Sequence, residues 1–152
     1  MTAAPRNPTG DELHQAVAAR LQRVGQRYTA ARRQLVDAMA SAGGPQPVHD
    51  IVARGPGLPL SSAYRNLADL AQAGVVVRVT ATDDVARYEL AEDLAGHHHH
   101  LLCTGCGVVV DFTLSGSVER ALLAAAAQAA NSTGFQATGH RVDLLGVCER
   151  CS

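Results

Sequence analysis

Lysine and tryptophan are both missing from this 152-residue chain. Arginine alone must therefore supply any cationic contact to phosphate or carboxylate. Aromatic residues make up only 3% of the chain, so a core has to be filled with Leu, Val, Ile and Ala. Long apolar runs are lacking too. The alanine-rich segment 121–130 falls well short of the roughly 20 residues that span a bilayer, and Arg120 and Asn131 flank it. The first residues are polar and hold no apolar signal-peptide core. These absences lead to the expectation of a cytoplasmic protein with no membrane partner. Cysteine is scarce: four residues in two pairs, Cys103-x-x-Cys106 and Cys148-x-x-Cys151. In a reducing compartment such pairs more often bind metal or act in catalysis than form disulfides. No H-E-x-x-H or equivalent is present, so a zinc-dependent hydrolase would lack its acid–base partner, and the chain is not expected to be an enzyme.

What is present is unevenly distributed. Net charge is only −1, but residues 1–66 hold eight arginines against four acids, and residues 92–152 hold three arginines against six acids. A basic first part and an acidic second part suggest two lobes with different partners.

Apolar residues at helical spacing predict a helix over 11–24, with Leu13, Val17, Leu21 and Val24 on one face and Thr9 or Asp11 as cap. Thr29 is a natural N-cap for a second helix carrying Leu35, Val36 and Met39, ended by Gly43-Gly44-Pro45. Pro47 opens a short helix over 48–53, and Gly55-Pro56-Gly57 makes a turn. Ser61 or Ser62 caps a helix to about Ala73, stopped by Gly74. Segments 75–80 and 85–90 read as a hairpin joined by 81–84. Helices followed by a two-stranded ribbon is the pattern of a winged helix-turn-helix, which places a DNA-binding domain at 1–91. The polar segment 92–96 reads as a hinge. Beyond it, strands at 98–103, 108–112 and 142–147, with a helix from Ser117 to Ala130, predict a small α/β lobe at 97–152. The fold class expected is α+β.

Two Cys-x-x-Cys knuckles let Cys103, Cys106, Cys148 and Cys151 reach one tetrahedral zinc, with no position left open, so that site is expected to be structural. A thioredoxin-like redox motif would instead use a single pair after a strand. The run His97-His98-His99-His100 is harder to assign. On a strand, His97 and His99 point one way, His98 and His100 the other, so one run can feed two sites. Glu119 and His140 are candidates for one; Glu89 and Asp111 are candidates for the other. Nitrogen and oxygen donors suit zinc, iron or nickel. A solvated histidine loop is the alternative.

In the basic lobe, Tyr64 and Arg65 fall near the start of the presumed recognition helix, whose first turns reach the major groove in this motif. Arg27, Arg32 and Arg33 are expected to contact the DNA backbone. A solvated face accounts better for Arg54.

These motifs together resemble the Fur family of metal-responsive repressors over nearly the whole chain. Gly25-Gln-Arg-Tyr-Thr-Ala-Ala-Arg resembles its G-x-R-x-T-x-x-R entry. Ser62-Ala-Tyr-Arg-Asn-Leu is similar to its T-V-Y-R-x-L recognition helix. His97-His-His-His-Leu-Leu-Cys-Thr-Gly-Cys-Gly resembles its H-H-H-x-H-L-x-C-x-x-C-G signature. The resemblance brings Tyr28 and Ser62 into the expected DNA interface. It implies a homodimer joined through the second lobe and a repressor that binds double-stranded operator DNA. It also implies structural Zn2+ on the four cysteines and a second regulatory site on His97, His99, Glu119 and His140.

A hinge sensing site on Glu89, His98 and His100 would take a further ligand from the DNA-binding lobe or a nearby acid. Iron-type members carry a histidine shortly before the third helix, where this chain has Pro45; His49 is shifted along the helix. Actinobacterial-type zinc sensors use an aspartate and a cysteine where this chain has Val77 and a cysteine-free link. Asp111 matches the acid of peroxide-sensing members, which implies Fe2+ or Mn2+ as the regulatory ion. The unbroken histidines resemble the zinc-sensing branch, and control of zinc-homeostasis genes is the expectation. Metal at the hinge is expected to close the lobes onto DNA, and to be lost below about pH 6 as the histidines protonate. A zinc ribbon that contacts another protein, with no DNA role, is a further alternative.

Overall fold

The computed structural model describes residues 10–55 and 57–152. Thr9, one candidate cap, and Pro56 of the expected turn lie outside them. α1 (Gly10–Arg23) and α2 (Ala30–Ala40) are followed by a two-residue strand, β1 (Gln46–Pro47), then α3 (Val48–Arg54) and α4 (Leu60–Gln72). β2 (Val76–Thr80) and β3 (Ala86–Leu90) form the hairpin. Next come α5 (Glu92–Ala95), β4 (His99–Cys103), β5 (Val109–Phe112), α6 (Gly116–Thr133) and β6 (Asp143–Gly146).

Leu13, Val17 and Leu21 of α1 pack with Leu35, Val36 and Met39 of α2, Ile51 of α3, and Ala63, Leu67 and Leu70 of α4. The hairpin closes this core with Val76 and Leu90. Thr29 caps α2 as the sequence suggested, its side chain accepting the Arg32 amide. Two serine caps are displaced. α4 starts at Leu60 with Pro59 at its N-cap, leaving Ser61 and Ser62 in the first turn. Pro59 needs no donor there, and its carbonyl accepts the Ala63 amide at 3.0 Å. Ser115, not Ser117, occupies the N-cap of α6.

β1 has no sequence periodicity to announce it. It pairs with β3 at the edge of a sheet ordered β1-β3-β2, where Pro47 gives up no ladder donor that matters. The second sheet is ordered β5-β4-β6, with β4 antiparallel to β5 and parallel to β6.

The expected polar link at 92–96 is instead a helical turn, and Leu94 is 4% exposed within the same core as α1 and α2. An apolar side chain at its centre anchors the segment. The second sheet also docks directly on the helical part. The Asp111 amide donates to Gly43 O at 3.0 Å, and Thr82 of the hairpin turn donates to Cys103 O at 3.3 Å. By contrast, α6 buries only Ala130 among its 18 residues, and all of β6 is exposed. Among the described residues, no helix is long and apolar enough to cross a membrane.

Candidate metal centres

Among the described residues, three clusters of candidate ligands form, each with donor atoms within 4.8 Å of one another. β6 runs parallel to β4 with Cys103 opposite Gly146, and this register returns the last two cysteines to the first two. None of the four is in a disulfide. Cys106 Sγ and Cys148 Sγ lie 3.7 Å apart. Four sulfurs at about 2.3 Å from one ion in tetrahedral geometry are separated by about 3.8 Å, so the spacing fits zinc. The amides of Cys148 and Cys106 point at Cys103 Sγ and hold its thiol down to about 6. A thiolate-stabilising environment is what a metal-bound sulfur requires.

The histidines split between two faces as expected, although only His99 and His100 lie on β4, with His97 and His98 just before it. His97 and His99 face α6, where Glu119 receives His99 Nε2 at 2.8 Å and His97 Nε2 at 3.2 Å. These bonds, led by His99, hold the Glu119 carboxyl below its usual range. His140, just before β6, brings Nε2 to 2.9 Å from the same carboxylate, yet without hydrogen-bond alignment, so a buried imidazole nitrogen is left without a partner. His97 Nδ1 donates to Glu92. Three imidazoles around one carboxylate suit a divalent ion of intermediate hardness.

His98 and His100 face the other way. Both Nε2 atoms lie 3.2 Å from Glu89 Oε2 on β3, and Asp111 Oδ1 on β5 lies 3.9 and 3.7 Å from them. Burial pushes the Glu89 carboxyl up, but the bonds from His100 and His98 outweigh it and leave it lowered. Glu89 in turn raises His98 to about 9, helped by the bond from His98 Nδ1 to Gly96 O at 2.8 Å. Burial raises Asp111, and its Oδ1 finds no donor. An unpartnered buried carboxylate oxygen beside two imidazoles and a second carboxylate fits a divalent cation. Pro45 and His49 are not in this cluster, and Asp111 takes the fourth place.

The presumed DNA-contact residues divide. Tyr64 and Arg65 are exposed on the first turns of α4, Ser62 is half-buried beside them, and Arg27 and Arg33 are exposed. Tyr28 is half-buried, its hydroxyl 2.6 Å from His14 Nδ1, with the Arg33 guanidinium over its ring. Arg32 departs from its expected role as a backbone contact. It is 7% exposed, and its guanidinium donates to Arg27 O at 2.7 Å, Gln26 Oε1 and Asn66 Oδ1 at 3.0 Å, and Asp69 at 2.5 Å. Those donors are turned inward, where they tie α2 to α4. Asn66 and Asp69 sit on the inner face of α4, a pairing that helix spacing alone does not reveal.

The sequence model of the Ferric uptake regulator family matches residues 23–145. The chain belongs to the Fur family. Members are metal-responsive transcriptional regulators, not enzymes; they bind DNA and form dimers. The "Peroxide operon regulator" of Bacillus subtilis is 29% identical over 136 residues, spanning 87% of this chain and 88% of that one. The "Peroxide-responsive repressor PerR" of Staphylococcus aureus is 27% identical, spanning 92% and 91%. The Helicobacter pylori ferric uptake regulator superposes with a TM-score of 0.73 at 18% identity, covering 97% of this chain and 96% of that one, and so shares the fold. None of these Fur-family relatives is named for zinc.

Proposed function

We propose that this chain is a metal-dependent, DNA-binding repressor in which Glu89, His98, His100 and Asp111 form the sensor. The observation that carries the reading is the convergence of donors from both lobes: Glu89 comes from β3 of the first sheet, His100 and Asp111 from β4 and β5 of the second, and His98 from the residue just before β4. Residues 1–91 act as a winged helix-turn-helix domain with α4 as recognition helix, 92–96 as the hinge, and 97–152 as the metal-binding dimerisation domain. The exposed surfaces of α6 and β6, including Leu123 and Leu145, supply the dimer contact. The four cysteines hold structural zinc. His97, His99, Glu119 and His140 form a second regulatory site.

When bound, a divalent cation supplies the positive charge that lets Glu89 and Asp111 share one point with His98 and His100. His98 must first release its Nε2 proton, which Glu89 stabilises. With Glu89 from the first lobe and His98, His100 and Asp111 from the second holding one ion, the lobes would be fixed against each other, and the two α4 helices of a dimer would be held at the spacing of successive major grooves. DNA affinity rises because the competent fraction rises. Arg27, Tyr28, Arg33, Ser62, Tyr64 and Arg65 make the DNA contacts, with Arg32 holding the frame.

For the regulatory ion, two imidazoles and two carboxylates without sulfur suit Fe2+ or Mn2+. Together with the peroxide regulators among the relatives, this favours an iron- or peroxide-responsive repressor over the zinc-homeostasis reading drawn from four unbroken histidines. Strand alternation splits that run, so its length says little about either site. A gel shift on DNA from upstream of the protein's own gene, with and without Mn2+, tests the function. Arg65→Ala should abolish the shift with zinc content unchanged; a metal-dependent shift that survives Arg65→Ala and Tyr64→Ala together would overturn the placement of α4.

A further inference from the structure

The sensor imidazoles need their second ring nitrogens held, because that contact fixes both ring orientation and tautomer. For His98 the holder is Gly96 O. For His100 it is not obvious: the side chain is 8% exposed, and Nδ1 is a buried nitrogen with no hydrogen bond. One acid faces it. Asp143 stands opposite His100 in the parallel register of β4 and β6, with its Oδ1 3.5 Å from His100 Nδ1. That is about 0.6 Å longer than an ordinary hydrogen bond of ~2.9 Å.

Asp143 is itself held. Arg141 Nε donates to its Oδ1 at 3.0 Å, and Arg141 Nη2 lies 2.8 Å from its Oδ2, a two-pronged clamp that fixes the plane of the carboxylate. The His100 amide also donates to Val142 O at 3.2 Å, which fixes the backbone of the two strands together at this point.

Resting on the reading of the hinge cluster as a metal site, we infer that Asp143 is a positioning residue of that site. It accepts the Nδ1 proton of His100 and so keeps Nε2 turned toward Glu89 and Asp111, free to ligate once its own proton has left, with Arg141 as its brace. Nothing in the motifs pointed to Asp143, because the parallel pairing that brings it to His100 leaves no mark in local sequence.

The test is a Co2+ titration of the zinc-loaded full chain, reading the visible absorption of the bound ion, for wild type and Glu89→Gln, Asp143→Asn and Asp143→Glu. Glu89→Gln identifies the hinge component. Asp143→Asn should weaken that component by about 10- to 100-fold and alter its spectrum, Asp143→Glu should recover most of the loss, and zinc on the four cysteines should be the same in all. Hinge affinity and spectrum in Asp143→Asn equal to wild type would overturn the inference. So would an equal loss in Asp143→Asn and Asp143→Glu, or a loss accompanied by release of the cysteine zinc, since either marks a disturbed strand. A titration in which Glu89→Gln and wild type coincide strikes instead at the hinge reading itself.

Discussion

Gly44→Ala should loosen the sensor without touching a ligand. Gly44 lies where the loop after α2 meets β5, and a Cβ built there falls 2.5 Å from Val109 O, 3.1 Å from Val110 Cα and 3.2 Å from Val109 C. All three are backbone atoms of a paired strand, so no side chain can swing aside. Reaching even the 3.0 Å that real Cβ atoms respect requires the loop and β5 to part by about half an ångström. The neighbouring bond from the Asp111 amide to Gly43 O, 3.0 Å long, is strained by the same movement. Glu89 Oε2 lies 3.2 Å from both imidazole nitrogens, so this spacing spans the two lobes. Opening the contact lengthens that spacing. Overpacking of this kind costs about 1–3 kcal/mol, which is about 5- to 150-fold if all of it appears as lost hinge-metal affinity. The assay is competitive Mn2+ binding to the zinc-loaded protein, with circular dichroism and zinc content as controls. A folded Gly44→Ala protein that binds Mn2+ within twofold of wild type would refute the reasoning.

Other outcomes follow from the same contacts. Cys106→Ser with Cys148→Ser should reduce the four-cysteine zinc from one per chain to none and lower the melting temperature, measured by metal analysis and calorimetry. Arg32→Ala should cost about 1.5–3 kcal/mol in urea unfolding, since it strands Asp69 and Asn66, whereas Arg65→Ala should leave the midpoint unchanged and remove DNA binding. For pH, the His98 pKa is raised to about 9 from an imidazole's ordinary 6.5, chiefly by the bond to Glu89. In metal-free protein the pair's stabilisation is therefore full below about 6.5 and is lost as pH rises through 9. Metal binding runs the opposite way: because the bound form needs neutral His98, and His100 is raised by the same carboxylate, hinge affinity should climb at least about tenfold per unit from pH 7 toward 9 and then level off. A plateau already reached at pH 6.5 would show that Glu89 does not hold the proton.

That pH window also marks where sequence reasoning stopped short. Protonation below about pH 6 assumes an ordinary imidazole, and the contacts of His98, chiefly with Glu89, move the transition upward. The helices of the first lobe were legible because their apolar spacing and the Thr29 cap are local features. So was the division of the histidines, which needs only strand alternation. Leu94 was not, because one apolar residue in a polar segment shows no period, and its burial depends on α1 and α2. Arg32 illustrates the limit best. Its place in a basic motif suggested phosphate, while its actual partners, Gln26, Asn66 and Asp69, come together only when α2 and α4 pack. Asp143 was invisible for a similar reason, since a parallel register is fixed by the whole lobe.

The most direct test of the hinge mechanism is the affinity of the zinc-loaded protein for a fluorescent duplex from upstream of its own gene, read by anisotropy with and without saturating Mn2+. Closure of the lobes through Glu89, His98, His100 and Asp111 calls for about 5- to 150-fold tighter binding with Mn2+, the range of ordinary site-to-site coupling, and for loss of that gain in Glu89→Gln. Identical binding curves with and without the ion would contradict it.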